Sequence, residues 1–220
     1  MTQIGRALNP KLRQQILATA FVFFLRYHVK RPFVNRTNPQ IEVGLVAATC
    51  VYLAAKVEEH PFHIKSIVQA AQQAMGSNYP IDTTRISECE FHLMEALDFY
   101  MIVYHPYQSV VLYFKDLGLP KGTDTPFLQT AWMLVNDTYR SDLPLLYPPH
   151  MIALGVIYLT AAMQERSVEV DIGAWFAKLN VEMNDVLIIV QRLLDLYQSM
   201  TLYNRERTIE LLTRLRQMQQ

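Results

Sequence analysis

The sequence has little of what builds a disulfide framework or a phosphate-binding loop. It contains only 2 cysteines and 7 glycines in 220 residues. Cys50 and Cys89 both lie in apolar helical patterns, where a free cysteine behaves as a small hydrophobic residue. The cysteines therefore predict no disulfide scaffold, and their use fits a reducing compartment.

Excess charge and long hydrophobic runs are lacking as well. The 20 basic side chains balance 20 acidic ones, so no field of the whole molecule attracts nucleic acid or an anionic membrane. The longest nearly apolar runs, Val43 to Ala55 and Met151 to Met163, are shorter than the roughly 20 residues that span a bilayer. The N-terminus shows no secretory signal pattern. We expect the two runs to be buried helices, and we expect neither a membrane partner nor direct contact with nucleic acid.

Constellations of catalytic residues are also missing. The sequence has neither a glycine-rich phosphate loop nor a nucleophile elbow of the G-x-S-x-G kind. His60 and His63 are spaced like a weak metal pair, but Pro61 lies between them and no further Cys or His ligand is near. This favours a polar turn at the start of a helix. We expect a protein without enzymatic activity that requires no metal and no cofactor.

Hydrophobic spacing is helical almost everywhere, which predicts an all-α fold. One amphipathic stripe runs from Ile64 to Met75, and Gly76 is the residue type that ends such a helix. A further helix is predicted to start near Asp82, a typical N-cap residue, and to reach Leu97. Another should begin at Pro106 and end before Gly118.

An internal repeat indicates two modules. The segment Ile41 to Lys56 matches Tyr147 to Ala162, and two further matches, one upstream and one downstream, preserve the same order. Three collinear matches favour duplication of one helical module over chance. The loop Leu119 to Pro126 is the clear break in mid-chain. We therefore predict an N-terminal module of residues 1–120 and a C-terminal module of residues 121–220.

Charged side chains occupy unexpected places in the helical pattern. On a helical wheel Glu90 falls near the middle of the apolar stripe of its helix, and Lys56 ends the apolar run that begins at Val43. A carboxylate in such a position must be paired or must face a partner. Two interpretations stay open: an ion pair of Lys56 with Glu90 that braces two helices, or a polar pair presented to another chain.

These residues carry a resemblance to a known family. The segment Leu53-Ala54-Ala55-Lys56-Val57-Glu58-Glu59 resembles the L-A-x-K-x-E-E signature of the cyclin box, and the helix with Glu90 resembles the one that supplies a conserved glutamate in that box. The run from Trp132 to Pro149, WMLVNDTYRSDLPLLYPP, is similar to the cyclin C group in particular. Together the similarities cover nearly the whole chain.

The resemblance implies an all-α fold of two tandem five-helix cyclin boxes. It also implies a non-catalytic, nuclear subunit that binds and activates the cyclin-dependent kinase of the Mediator complex and so regulates transcription by RNA polymerase II. The M-R-A-I-L patch with which cell-cycle cyclins dock substrates is absent near Lys11 to Gln15, so that role is not implied. Carried over by position, the kinase-binding residues are Lys56 and Glu90, with an apolar surround of Leu53, Val57, Met94, Phe99 and Met101.

A second binding surface is predicted between the two modules. We expect Glu58 and Glu59 to be free to face outward, while Asn136 and Asp137 continue the acidic strip. The predicted groove consists of Glu58, Trp132, Asn136, Asp137 and Tyr197. An acidic groove with aromatic walls suits the large activating subunit of the Mediator kinase module. The alternative is that Trp132 lies in the core and Asp137 pairs locally with Arg140.

Other function classes remain as alternatives. Two-box proteins such as transcription factor IIB use the same architecture to bind promoter DNA, but they need a cationic face, whereas the charges here balance. An all-helical hydrolase whose site the sequence hides is a further alternative.

Overall fold

The computed structural model describes residues 1–33, 41–77, 79–118, 124–164 and 171–202, together with residues 207, 210, 211, 213, 214 and 217. All regular elements in these ranges are helices, which confirms the predicted all-α class. The chain divides into two compact units, Met1–Val103 with Asn204–Gln220, and Tyr104–Tyr203.

The first unit is built around a buried helix. Its helices are α1 (Thr2–Ala7), α2 (Gln14–Lys30), α3 (Val43–Val57), α4 (Ile64–Met75) and α5 (Thr83–Ala96). Helix α3 has no charged residue before Lys56, so it can be surrounded on all sides, and it packs against α2, α4 and α5. Its side chains meet Phe23, Ile67 and Leu93 in one apolar core.

The helix ends of the first unit follow the predicted signals. Helix α4 covers the predicted stripe, and Gly76 follows it with a φ of 110°, which favours glycine. The carboxylate of Asp82 accepts a hydrogen bond from the backbone N–H of Arg85 and caps α5. His63 caps α4, since its Nδ1 accepts from the N–H of Lys65 at 3.2 Å. The predicted polar turn at His60 and His63 is thereby confirmed.

The second unit repeats the arrangement around another buried helix. Its helices are α6 (Pro106–Leu117), α7 (Asp124–Thr138), α8 (Leu143–Leu146), α9 (Pro149–Met163), α10 (Ile172–Lys178) and α11 (Met183–Met200). Helix α9 packs against α6, α7 and α11. As predicted, α6 begins at Pro106 and ends before Gly118, which is left-handed with a φ of 63°. Both predicted apolar runs are thus central buried helices.

Packing supports the predicted duplication. In the first unit α3 contacts α2 and α5, and in the second unit α9 contacts α7 and α11. The central matching segments lie largely on α3 and α9, and the upstream ones lie on α2 and α7. The downstream match lies on α11 in the second unit and directly after α5 in the first. The predicted boundary between two cyclin boxes at residue 120 remains a prediction. By packing, α6 belongs with the second unit, because it lies against α7 and α9.

Both cysteines lie in the core of the first unit. Cys50 and Cys89 are free and buried, and burial raises the pKa of the Cys50 thiol well above its usual range. Cys50 therefore stays a protonated thiol and acts as a core residue. In the part of the chain that the structure describes, we find no helix with the length and apolar character to cross a bilayer.

Candidate protein-binding surface

Lys56 and Glu90 form an ion pair that joins α3 to α5. The Lys56 ammonium lies 2.7 Å from Oε1 of Glu90. Glu90 is only 8% exposed, whereas the Lys56 side chain is 44% exposed. Lys56 also lies over the ring of Tyr52, 5.1 Å from its centroid. The pair braces two helices inside the chain, and its cation still reaches the surface.

The segment after α5 is held in an unusual backbone conformation. Asp98 and Phe99 have φ values of 51° and 59°, in the left-handed region that bulky residues avoid. The segment is fastened to α2, because Lys30 pairs with Asp98 and Arg26 donates to the carbonyl of Tyr100. The N–H of Phe99 donates to the carbonyl of Met94. Backbone strain of this kind collects at functional sites.

This conformation exposes large apolar side chains in the segment that follows the helix of Glu90. Phe99 is 69% exposed, Tyr100 75% and Ile102 73%. Phe91, which follows Glu90 on α5, is 69% exposed. We call Phe91, Phe99, Tyr100 and Ile102 the apolar rim. Such a concentration of exposed apolar residues is typical of a protein-binding surface.

Sequence reasoning found only part of this surface. Of the residues predicted to contact a kinase, Phe99 is exposed, while Val57, Met94 and Met101 are partly buried against the core of the first unit. Leu53 is 3% exposed and can support the surface only from beneath. The prediction omitted Phe91, Tyr100 and Ile102. The signal for Tyr100 and Ile102 was the apolar run of residues 99–103 after α5, whereas that for Phe91 was an aromatic residue next to Glu90 on α5.

Glu58 differs from its predicted orientation. The sequence predicts a carboxylate free to face outward, but the structure engages both of its oxygens with α2. Gln15 Nε2 donates to Oε2 at 2.8 Å, and Thr19 Oγ1 donates to Oε1 at 2.6 Å. Since α3 ends beside α2, Glu58 is close enough to satisfy polar groups there. Glu59 is exposed.

The other predicted groove residues all belong to the second unit. Asp137 accepts a hydrogen bond from the Tyr197 hydroxyl at 3.0 Å and pairs with Arg140 at 3.6 Å. Burial and the Asp137 carboxylate raise the pKa of Tyr197 well above its usual range, so its hydroxyl remains a donor. The local Asp137–Arg140 pairing is thereby confirmed.

Asn136 and Trp132 are linked through one tyrosine. The Tyr107 hydroxyl donates to Oδ1 of Asn136 at 2.8 Å, and the Tyr107 ring lies 4.6 Å from that of Trp132. Trp132 is 38% exposed. The second unit therefore brings these residues together in pairs and leaves one face of Trp132 accessible.

Histidine and acidic side chains are the usual sources of metal ligands and catalytic bases. Among the described residues we find no cluster of His, Cys, Asp and Glu able to hold a metal. His105 Nδ1 lies 2.6 Å from the hydroxyl of Tyr139. Burial raises the pKa of Tyr139 far above its usual range, so the phenol stays protonated and is a poor base. This contact is best explained as a buried structural hydrogen bond.

Relatives of the chain are known over most of its length. The family "Cyclin, N-terminal domain" matches residues 6–102. Cyclin-C of Rattus norvegicus is 38% identical over 208 residues, which cover 90% of this chain and 70% of the relative. An RNA polymerase II holoenzyme cyclin-like subunit of Yarrowia lipolytica is 35% identical over 211 residues, with 89% of this chain and 74% of the relative covered.

Solved structures share the fold. A chain in the CAK complex of Chaetomium thermophilum bound to ATP-gamma-S matches with a TM-score of 0.73 and 16% identity, covering 100% of this chain and 70% of that chain. A chain in the yeast TFIIK complex matches with a TM-score of 0.61 and 21% identity, over 83% of this chain and 75% of that chain. The chain is 38% identical to a cyclin C over 90% of its length and carries the cyclin signature at Lys56, so it belongs to the cyclin family, among the relatives of cyclin C.

Proposed function

We propose that this cyclin is the regulatory subunit of a transcriptional cyclin-dependent kinase, which it binds and activates without catalytic residues of its own. The observation that carries the proposal is that the first unit combines a partly buried Lys56–Glu90 pair with the exposed apolar rim. Exposed apolar anchors and partly buried charge pairs are features of protein interfaces.

The mechanism follows from what a protein kinase requires. A kinase is active only when its regulatory helix is held inward, so that a lysine and a glutamate pair and the metal-binding loop is aligned. The apolar rim supplies the area that packs against that helix, and Lys56 with Glu90 supplies polar contacts that orient it. Since Glu90 is already braced by Lys56, the surface is preorganised before the kinase binds.

We assign the kinase to the Mediator complex. This assignment rests on the cyclin C relatives, on the relative named as an RNA polymerase II holoenzyme subunit, and on the run from Trp132 to Pro149. It places the protein's action in the nucleus. The promoter-binding alternative is not favoured, because the relatives are cyclins and the 20 basic side chains are balanced by 20 acidic ones.

A second partner completes the proposal. We assign the accessible face of Trp132, together with Asn136, Asp137, Tyr197 and Glu58, to the large activating subunit of the same kinase module. Trp132 and Tyr197 are amphipathic residues of the kind enriched at interfaces, and Asp137 carries a negative charge beside them. Because the Glu58 carboxylate is engaged by α2, its contribution is a fixed negative charge at the end of α3.

The decisive experiment identifies what binds the tagged chain in nuclear extract. We expect a cyclin-dependent kinase together with Mediator subunits. In a matched purification, Phe91→Ala with Ile102→Ala should reduce kinase recovery by about tenfold or more, since anchors at the centre of an interface contribute at least about 2 kcal/mol each.

The control is Leu146→Ala with Met163→Ala, which removes exposed apolar side chains from the second unit instead. Kinase recovery should be unchanged by it. Failure to recover any kinase would overturn the proposed function, and recovery of a kinase without Mediator subunits would overturn only its assignment to Mediator.

A further inference from the structure

A cavity of about 510 Å³ lies within the second unit. Its walls come from α6, from the start of α9, and from the loop that joins α10 to α11, with Tyr113, Met151 and Leu179 among the lining residues. A volume of this size is within the range of roughly 300 to 1,000 Å³ that ligand-binding pockets occupy. Neither the kinase surface nor the predicted groove includes any of its residues.

The walls of the cavity combine apolar and acidic character. Tyr113, Met151, Leu154 and Val181 provide apolar and aromatic surface. Glu182 and Asp185 lie at the cavity as exposed carboxylates, and the described lining includes neither lysine nor arginine. We call the two exposed carboxylates the rim of the cavity and its apolar side chains the floor; His150 and Asn180 also line it.

The two carboxylates have no partner within the described part of the chain, and this distinguishes them from the other acidic side chains of the second unit. Glu182 and Asp185 take part in no side-chain hydrogen bond or ion pair there. The other acidic side chains that the structure describes in this unit each have a partner, namely Asp116, Asp137, Asp142, Asp171 and Asp195. Negative charge left free beside an apolar cavity is available to a ligand.

We propose that this cavity is a docking site for a basic peptide segment of a partner protein. A lysine or arginine of the segment pairs with Glu182 and Asp185, and an adjoining aliphatic residue occupies the apolar floor. Long basic side chains suit such a site, because their aliphatic stems pack on apolar surface while the charged head reaches the rim. The Tyr113 and Tyr147 side chains at the cavity add ring faces that attract cations.

Asp185 has an additional role that the test must separate. It lies in the first turn of α11, where a carboxylate interacts favourably with the helix dipole. The helix dipole explains the position of Asp185 alone. It explains neither the carboxylate of Glu182, which is unpaired among the described residues, nor the apolar cavity. If Asp185 served only that role, its replacement would lower the stability of the second unit and leave peptide binding by the folded protein unchanged.

The experiment measures binding of the full chain to synthetic peptides. The probe is an array of short peptides with one lysine or arginine followed by leucine or methionine in a glycine and serine background. In a matched array glutamine replaces the cation. We expect the cationic array to be preferred, and hits measured by fluorescence anisotropy to weaken about tenfold or more in Glu182→Gln with Asp185→Asn, because the charge pairing is lost.

Matched variants keep the result interpretable. Glu88→Gln with Glu95→Gln removes the same charge from exposed positions on α5 and should leave peptide binding unchanged. Asn180→Trp keeps both carboxylates and blocks the cavity with a large side chain, so it should abolish binding. Circular dichroism confirms the fold of each variant. Equal binding of both arrays, or unchanged affinity in Glu182→Gln with Asp185→Asn or in Asn180→Trp, would overturn the proposal.

Discussion

Glu90 is a carboxylate held at the edge of the core by a single cationic side chain. The two members of the pair differ in exposure, since the Glu90 side chain is 11% exposed and that of Lys56 is 44% exposed. Removing the lysine leaves a carboxylate out of reach of most water, whereas removing the glutamate leaves an ammonium that water can still solvate. The pair is therefore asymmetric in its effect on stability.

We predict that Lys56→Met lowers the free energy of unfolding by about 1 to 3 kcal/mol, the cost of an unsatisfied buried polar group. Glu90→Gln should cost less than about 1 kcal/mol, because its amide remains near the ammonium. Urea denaturation of the isolated chain measures both values.

The same two variants separate the structural role of the pair from its role in binding. In a kinase activation assay both should weaken activation while helical content, followed by circular dichroism, is retained. If both variants are destabilised and yet activate the kinase normally once folded, the pair is only an internal brace.

His28 predicts a pH-dependent stability. It is packed among aromatic rings, 4.2 Å from the ring of Phe33, and burial lowers its pKa below the ordinary value of 6.5. Its Nδ1 lies 3.2 Å from the carbonyl of Arg31, and its buried Nε2 finds no hydrogen-bond partner among the described residues. Protonation of Nε2 would place an N–H there without an acceptor.

Because the folded pKa is lowered, the unfolded chain binds more protons as the pH falls through 6.5 and below. His28 therefore destabilises the fold at acid pH and has no such effect above that range. His28→Phe should flatten the loss of stability between neutral and mildly acid pH, measured by denaturation at several pH values. His92→Gln, at an exposed position on α5, should keep the wild-type slope; an equal slope in His28→Phe would contradict the prediction.

At the scale of whole helices, α9 passes close to α11 at Gly155. A Cβ added at Gly155 would lie 2.5 Å from Cγ2 of Ile189, nearer than packed carbon atoms normally come. The absence of a side chain at Gly155 thus lets the central helix lie directly against α11. A larger residue forces the helices apart or forces Ile189 out of its rotamer.

We predict that Gly155→Ala lowers the free energy of unfolding by about 1 to 3 kcal/mol despite the higher helix propensity of alanine. Thermal denaturation measures the change. The matched compensating variant, Gly155→Ala with Ile189→Leu, should recover part of the loss because leucine lacks the Cγ2 methyl group that makes the contact. Stabilisation by Gly155→Ala alone would show that the two helices separate without cost.

The ends of the helices were the features that the sequence predicted best. Gly76, Asp82, Pro106 and Gly118 act through their own backbone chemistry, so each marks a helix end wherever the neighbouring residues pack. The apolar rim was harder to predict from the sequence. Exposure of Phe99 depends on a left-handed backbone fastened to α2 by Lys30 and Arg26, which are distant in sequence.

At the scale of the whole molecule, the residues proposed to bind the second partner are divided between the two units. Glu58 lies in the first unit and Asp137 in the second. We predict that Glu58→Lys with Asp137→Lys abolishes capture of the large activating subunit while kinase binding persists, because the reversed charges oppose a basic segment. Co-purification with each partner measures the outcome.

Single reversals are the controls for this pair, because each carboxylate also has an internal role. Glu58 accepts hydrogen bonds from α2, and Asp137 accepts one from Tyr197. Circular dichroism shows whether each variant remains folded. If binding of both partners is lost together, or if neither is lost, these residues do not form the proposed binding site.

The chain as a whole is predicted not to transfer phosphate. It has only 7 glycines and no phosphate-binding loop in its sequence, so calorimetry with ATP and magnesium should give no binding heat. Phosphotransfer by the kinase complex should disappear when the kinase subunit is omitted. Tight ATP binding by the purified cyclin alone would contradict this prediction.

The sequence by itself determined the all-α class, the repeated module and the family, because helical periodicity, collinear matches and the run around Lys56 are local properties of the chain. It also predicted that Glu90 either pairs with Lys56 inside the chain or faces a partner protein. Only the tertiary structure decided that Glu90 is paired with Lys56 and that Glu58 is engaged by α2. It also revealed a cavity with two free carboxylates in the second unit. These outcomes depend on which distant side chains meet, and no single helix encodes that by its own pattern.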